Sequence, residues 1–308
     1  MENGRPIVNA LTVDVEDYYH VTAFEGQISR REWDRYPSRV GPNTHRVLDL
    51  LDRHEIRATF FTLGWVGRRF PALIRTIARA GHDIGCHSYW HRLVYRLTPD
   101  QFRKDLRLAR HVLEDVVGES VSAYRAPSWS ITRKSLWALD ILAEEGFRYD
   151  SSIFPIYHDR YGIPRAKPFP HRATDGAKPL WEFPATVYQF GRVNLPVSGG
   201  GYFRLYPVSW TAHWLSQINR RFSRPFMFYI HPWELDPDQP RLKAGGWSRW
   251  RHYLNLGTTA KKLDWLLPQF QFCPLGEVLD LCASAAETHA AESTQPCSLA
   301  PSTVPECA

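Results

Sequence analysis

Ile7-Val8-Asn9-Ala10-Leu11-Thr12-Val13 runs without a break into Asp14-Val15-Glu16-Asp17-Tyr18-Tyr19-His20. The first seven residues read as a strand, and three carboxylates follow at its end. Carboxylates are costly to hold against a core unless a cation needs them. A solvated turn is the ordinary explanation of an isolated acidic cluster. His87-Ser88-Tyr89-Trp90-His91 changes the balance. Two histidines four apart can share one metal ion, with one of the carboxylates as third ligand.

Outward from that strand, β and α patterns alternate. Residues 57–63 (RATFFTL), 83–86, 121–124, 147–150 and 225–231 (PFMFYIH) read as strands, with 181–187 a further candidate. Helical spacing covers 43–54, 71–80, 132–145, 207–222, 259–267 and 276–285. Thr98-Pro99-Asp100-Gln101 is a helix start with Thr98 as N-cap, Pro99 at N1 and Gln101 at N3; Gly118 ends that helix. Ser198-Gly199-Gly200-Gly201 is a tight turn without the residues of a phosphate loop. The alternation predicts an α/β fold, a parallel sheet or barrel covered by helices. One domain is expected over residues 1–282, loop-rich and proline-rich from about 151. The Ala-, Ser-, Thr- and Pro-rich stretch 283–308 is expected to be a disordered tail.

The 308 residues carry a net charge of +6, with no basic run and no nucleic-acid fingerprint, so no nucleic-acid partner is expected. Five cysteines (86, 273, 282, 297 and 307) are widely spaced and form no CxxC. Residues 1–6 lack the apolar stretch of a signal peptide. No segment approaches the roughly 20 apolar residues of a membrane span. These features predict free thiols in the cytoplasm, with association to membrane-bound machinery an alternative. Twelve Trp, fourteen Tyr and sixteen Phe suit a sugar-stacking cleft or an aromatic core equally. Oligomeric state is not legible.

The unusual polar residues all follow strands: Asp14, Glu16 and Asp17; His87 and His91; Arg125 in YRAP; Asp150 in YDSS; His231 in IHPWE. In β/α folds the C-terminal strand ends converge on one face, where active sites are built. VDVEDYYH, GHDIGCHSYWH, YRAPSWS, YDSSIFP and FYIHPWE, in this order, resemble the polysaccharide deacetylases with a NodB homology domain, carbohydrate esterase family 4. They resemble in particular the subgroup found at exosortase (PEP-CTERM) exopolysaccharide loci. The resemblance runs from about residue 7 to 281.

That resemblance implies a distorted, incomplete (β/α) barrel. It implies metal-dependent removal of N-acetyl groups from N-acetylhexosamine units of an exopolysaccharide or its precursor. It makes His87 and His91 metal ligands, Asp14 the general base, Arg125 its orienting partner, His231 the general acid and Asp150 a candidate for orienting a catalytic group. The metal would be divalent, zinc first, with cobalt or manganese as alternatives. Such an ion lowers the pKa of bound water and polarises the amide carbonyl.

The chain departs from the commoner TFDDG opening, so the carboxylate ligand is either Glu16, which shares a strand face with Asp14, or Asp17, if the chain turns at Glu16. His158, Asp159 and Tyr161 match a polar stretch of the exosortase-linked subgroup and are candidates to line the substrate cleft. Trp129 and Trp233 flank the catalytic segments and would either stack on a sugar or pack in the core. Cys86, adjacent to His87, is expected to be buried and inert. Competing functions are hydrolysis of a small-molecule amide and a catalytically silent sugar-binding module. A zincin-type peptidase is disfavoured, because Ser88 stands where its HExxH motif needs Glu.

Overall fold

In the computed structural model, which describes residues 6–158, 160–175, 179–191, 193–243 and 246–293, the opening strand β1 (Val8–Val15) is buried from Asn9 onward. The strands that follow are β2 (Thr59–Thr62), β3 (Asp83–Cys86), β4 (Ala123–Tyr124), β5 (Tyr149–Asp150), β6 (His171–Arg172), β7 (Trp181–Glu182), β8 (Val187–Phe190), β9 (Val193–Pro196), β10 (Met227–Ile230) and β11 (Gln271–Cys273). Among the described residues they build one curled sheet in the order β10-β1-β2-β3-β4-β5-β7-β6, with β11 also paired to β1. All its pairs are parallel except β6 with β7, and β8 and β9 form a separate antiparallel hairpin.

The ends of this sheet approach each other without joining as strands. The Met227 N–H donates to Thr186 Oγ1 (2.8 Å) and the Tyr229 N–H to the Ser198 carbonyl (2.7 Å). Gly199 makes this approach feasible: its φ is +134°, and a Cβ there would lie 1.9 Å from the Tyr229 oxygen. The result is the expected incomplete (β/α) barrel.

The helices are α1 (Val40–Arg53), α2 (Gly64–Arg69), α3 (Pro71–Arg79), α4 (Pro99–Val117), α5 (Trp137–Glu144), α6 (Gly200–Leu205), α7 (Val208–Phe222), α8 (Gly246–Tyr253), α9 (Leu256–Leu266) and α10 (Leu275–Ser293). The capping box at Thr98 forms as read, with both reciprocal hydrogen bonds, and Gly118 closes α4 in the left-handed conformation. α1 starts three residues before the expected 43, and α5 starts at 137 rather than 132 because residues 132–136 are held in a turn by Ser135. The 181–187 strand is split into β7 and the start of β8. α10 continues to Ser293, so the tail expected to be disordered from 283 begins inside a helix; residues 294–308, with Cys297 and Cys307, lie outside the described residues.

Strand alternation decides what faces the interior. Leu11, Val13 and Val15 of β1 and Phe60 of β2 join the large cluster under the helices. Ala10 and Phe61 join a second cluster with Trp129, Phe154, Met227 and Tyr229. Side chains two apart on a strand share a face. Thr12 and Asp14 therefore point the same way as Ala10, toward this second cluster.

Candidate metal centre and active site

The hydrogen-bond ladder continues one residue past successive strand ends and fixes the site's residues there. The His87 N–H donates to the Thr62 carbonyl (3.0 Å), the Arg125 N–H to that of Cys86 (2.9 Å) and the Ser151 N–H to that of Tyr124 (3.0 Å). One ligand atom each of Glu16, His87 and His91 lie within 4.8 Å of one another, and all three side chains are buried. His87 Nδ1 is 2.8 Å from the Arg125 carbonyl. A carbonyl only accepts, so Nδ1 carries the proton and Nε2 presents its lone pair.

Burial, chiefly, pushes His87 down to about 4, so it is neutral and able to ligate at physiological pH. Burial works to raise Glu16, yet His91, His231 and His87 outweigh it and hold the carboxyl well below the usual range. Glu16 Oε1 accepts from the Trp233 indole N–H (3.2 Å). Its Oε2 makes no hydrogen bond although it is buried 2.9 Å from His91 Nε2. An imidazole nitrogen that presents its lone pair, as a metal ligand does, would meet this carboxylate oxygen in repulsion at that distance. A cation between them removes the conflict, and a Glu/His/His set fits a borderline divalent ion.

Beside the triad, Arg125 is buried and fully engaged. Its Nη1 donates to Asp14 Oδ1 (2.6 Å) and Thr12 Oγ1 (2.8 Å), its Nη2 to Ser151 Oγ (3.0 Å) and its Nε to the Ser151 carbonyl (3.2 Å). The guanidinium also lies over the rings of Phe61 (4.2 Å) and Trp129 (4.8 Å). Opposite, His231 Nε2 is 3.8 Å from Asp14 Oδ2 and 3.6 Å from Glu16 Oε1. Its Nδ1 donates to Glu234 Oε1 (2.5 Å). Burial would lower His231, but the bond to Glu234 and the charges of Glu234, Glu16 and Asp14 raise it to about 9. The imidazole is therefore held as a proton donor at neutral pH.

Asp17 is the candidate ligand that the structure turns away. Its Oδ2 accepts from Ser38 Oγ (2.6 Å) and from the N–H groups of Arg39 (2.9 Å) and Val40 (3.1 Å). Two of these are free donors at the start of α1, so Asp17 serves that helix end. This leaves Glu16 as the carboxylate of the triad. The two histidines do not share a helix face: they sit in a loop where Ser88 (φ +67°) and His91 (φ +49°) are left-handed.

Asp150 faces Glu182, its partner in the parallel register of β5 and β7, and accepts from Ser152 Oγ (2.5 Å). Burial raises Asp150 to about 6 and pushes Glu182 well up, as expected when two carboxyls share one dry site. Hydrogen bonds tie Asp150 to the Arg125 segment through Ser152, and the Arg125 charge works to lower Asp150. Trp129 is buried against Phe154 and Tyr229, so it packs and stacks on Arg125. Trp233 is also buried and stacks on His231 and His252. His158 and Tyr161 stack on each other with centroids 3.8 Å apart and line a cavity beside the site; Asp159 lies outside the described residues. Cys86 is buried, and burial pushes its thiol up to about 12.

Several contributors escape a reading of the sequence. Glu234 is visible in HPWE, but its bond to His231 depends on the turn of residues 232–235. Arg204 backs Glu234 at 3.3 Å from α6, far away in the chain. Asp105 of α4 accepts from Ser88 Oγ and from the Tyr89 N–H (2.7 Å), which pins the loop between the two histidines. A buried Asp in the second turn of a helix carries no sequence signal of that role.

Residues 32–149 match the family model for polysaccharide deacetylase. These residues, a little over a third of the chain, carry a polysaccharide deacetylase domain. The match begins after β1, so Asp14 and Glu16 precede it. Residues 151–280 match a domain of unknown function (DUF3473), the segment that carries His231 and Glu234.

The chain is similar to a peptidoglycan-N-acetylglucosamine deacetylase of Bacillus cereus, 33% identical over 98 residues, 32% of this chain and 36% of that one. It is also similar to a peptidoglycan deacetylase of Helicobacter pylori, 29% identical over 140 residues, 44% and 47% of the two. It thus spans a third to a half of the length of these relatives. A solved putative polysaccharide deacetylase from Mycobacterium smegmatis shares the fold, with a TM-score of 0.58 at 22% identity over 99% of this chain and 97% of that one. No described helix is long and apolar enough to cross a membrane.

Proposed function

We propose that the chain hydrolyses the N-acetyl group of N-acetylhexosamine units in a glycan, an exopolysaccharide or its precursor, and releases acetate and a free amine. The observation that carries this reading is the convergence of Asp14, clamped by Arg125, and His231, charged by Glu234, beside the Glu16–His87–His91 triad. A divalent ion held by those three residues, zinc by their chemistry, supplies a Lewis acid and lowers the pKa of water. Arg125 occupies Oδ1 of Asp14 and leaves Oδ2 to take a proton from the attacking water. The water oxygen bonds to the acetyl carbon, and the C–N bond breaks. His231 gives the Nε2 proton to the leaving nitrogen, and Glu234 stabilises the imidazolium until then. The nearly complete burial of Asp14 and the triad strengthens each of these charges by excluding water.

The matched family and the names of the relatives support this reading. Acetate release from N-acetylglucosamine oligosaccharides tests it. Asp14→Asn is expected to retain the metal and to lower kcat by about 10²–10⁴-fold. Unchanged turnover removes Asp14 from the base role. Oligosaccharide binding by the wild type with no acetate released would favour a silent sugar-binding module.

A further inference from the structure

Two cavities, of about 1030 Å³ and 190 Å³, lie beside the site. Thr22, Ala23, Leu93, Tyr95 and Arg160 line both, so they form one continuous groove. Each cavity borders a neighbour of the triad rather than the triad itself. Trp233, whose N–H holds Glu16, lines the smaller cavity, and Trp90, next to His91, lines the larger.

The groove is strongly basic. Among the described residues, Arg30, Arg31, Arg92, Arg96, Arg160 and Arg251 line it, beside the buried and paired Arg204. Among the described lining residues the carboxylates are Glu25 and Glu32. Glu25 is taken by Arg30 (2.6 Å) and Arg96 (3.1 Å), and Glu32 pairs with Arg35 outside the groove (3.1 Å). Arg31, Arg92 and Arg251 have no carboxylate partner among the described residues. Those three guanidinium groups make the groove a basic surface, in a chain whose total charge is +6.

We propose that this groove binds an acidic glycan, in which carboxylate-bearing sugars flank the N-acetylated unit at the triad. The inference rests on the deacetylase reading and names its substrate class. A neutral glycan gains nothing from a row of arginines that must give up water on contact. A guanidinium fork matches a carboxylate with two parallel hydrogen bonds. The cations are spread along a groove at the upper end of ordinary ligand-pocket volumes of roughly 300–1000 Å³. That spread fits charge repeated along a chain better than one diphosphate, which calls for a single focused cluster. Arg30, besides pairing with Glu25, donates to the carbonyl of Trp90 (2.6 Å), which ties the groove wall to the loop that carries His91.

The test compares kcat/KM for acetate release from a hexasaccharide alternating N-acetylglucosamine with glucuronate, from chitohexaose and from UDP-N-acetylglucosamine, together with binding of each by calorimetry. The acidic hexasaccharide is expected to be preferred by about tenfold at low salt, with the preference fading as salt rises to about 0.3 M. Arg31→Ala/Arg92→Ala and, separately, Arg251→Ala are expected to lower the ratio of acidic to neutral rates by about fivefold each, as exposed cations contribute modestly one at a time. These side chains are exposed, so the variants should fold. Equal rates on the two hexasaccharides, insensitive to salt and to the arginine variants, overturn the inference and leave the deacetylase reading standing. Preference for the nucleotide sugar overturns it in favour of phosphate recognition. Selective binding of the acidic hexasaccharide without acetate release supports the groove and overturns the deacetylase reading.

Discussion

The two halves of the chain meet at the site but contribute different chemistry by different means. The first half, through β5, supplies Asp14, Glu16, His87, His91 and Arg125, each at or one to a few residues past the end of a sheet strand. The second half supplies His231 with its supports Glu234, Arg204 and Trp233, from a 3-10 turn and a short helix. On the proposed metal-binding side, His87 and Arg125 are fixed by a hydrogen-bond ladder, and Asp105 pins the loop that leads to His91. The proton-donating side is fixed by side chains gripping one another: His231 on Glu234, Glu234 against Arg204, and Trp233 stacked between two imidazoles. A ladder constrains position through backbone alone. A side-chain relay fixes position and charge together, so changing one member changes the pKa of the next.

The sharpest way to break this division is to compare one variant from each half. His91→Ala should lose the bound metal and fall to the activity of chelated protein. Glu234→Gln should keep the metal, measured by elemental analysis, and shift the alkaline limb of kcat downward by about one to three pH units, because His231 loses the carboxylate that holds its proton. A cation held by the triad would work in the same downward direction in both proteins.

The sign extends to stability. His231 is raised to about 9 in the fold, so its contribution to the metal-free protein is complete below its ordinary value near 6.5 and is lost as pH rises through about 9. Thermal unfolding between those pH values should show this loss in the wild type and a flatter profile in Glu234→Gln.

Asp105→Ala sharpens the first half of the comparison. It frees the loop between the two histidines, and metal affinity should fall by about 10–100-fold, as for other residues that orient ligands. Unchanged affinity would mean that the left-handed turns at Ser88 and His91 hold the loop without help.

The smallest effect belongs to Asp17→Ala. The variant should retain its metal and lose about 1–2 kcal/mol of stability through the start of α1, read from denaturant midpoints. Loss of metal instead would restore Asp17 as a ligand.

The first half is readable from sequence because the ends of its elements are marked. Thr98 and Gln101 cap α4 as their spacing demands, and β1 leads into the carboxylates at its end as read. The choice between Glu16 and Asp17 is not readable. It depends on Ser38, Arg39 and Val40, which arrive from beyond two 3-10 turns to claim Asp17. In the second half, β6 (His171–Arg172) lies in a proline-flanked polar stretch, whereas the equally short β4 and β5 end stretches that follow the helix-closing Gly118 and Gly146. Thus β6 leaves no trace in the pattern, and Glu182 gives no sign of facing Asp150. Arg204 is equally silent, since its partner is thirty positions away in sequence.

Trp129 and Trp233 show the limit from the other direction. Each indole is a candidate sugar platform by its place in the sequence, and each is buried, one beneath Arg125 and the other beside His231.

The central claim is that Glu16, His87 and His91 hold one divalent ion on which hydrolysis depends. Acetate release from N-acetylglucosamine oligosaccharides, measured on chelated protein during titration with zinc, tests it most directly. The account predicts negligible release without metal and recovery that saturates at one ion per chain. Full activity in protein shown by elemental analysis to be metal-free would contradict it.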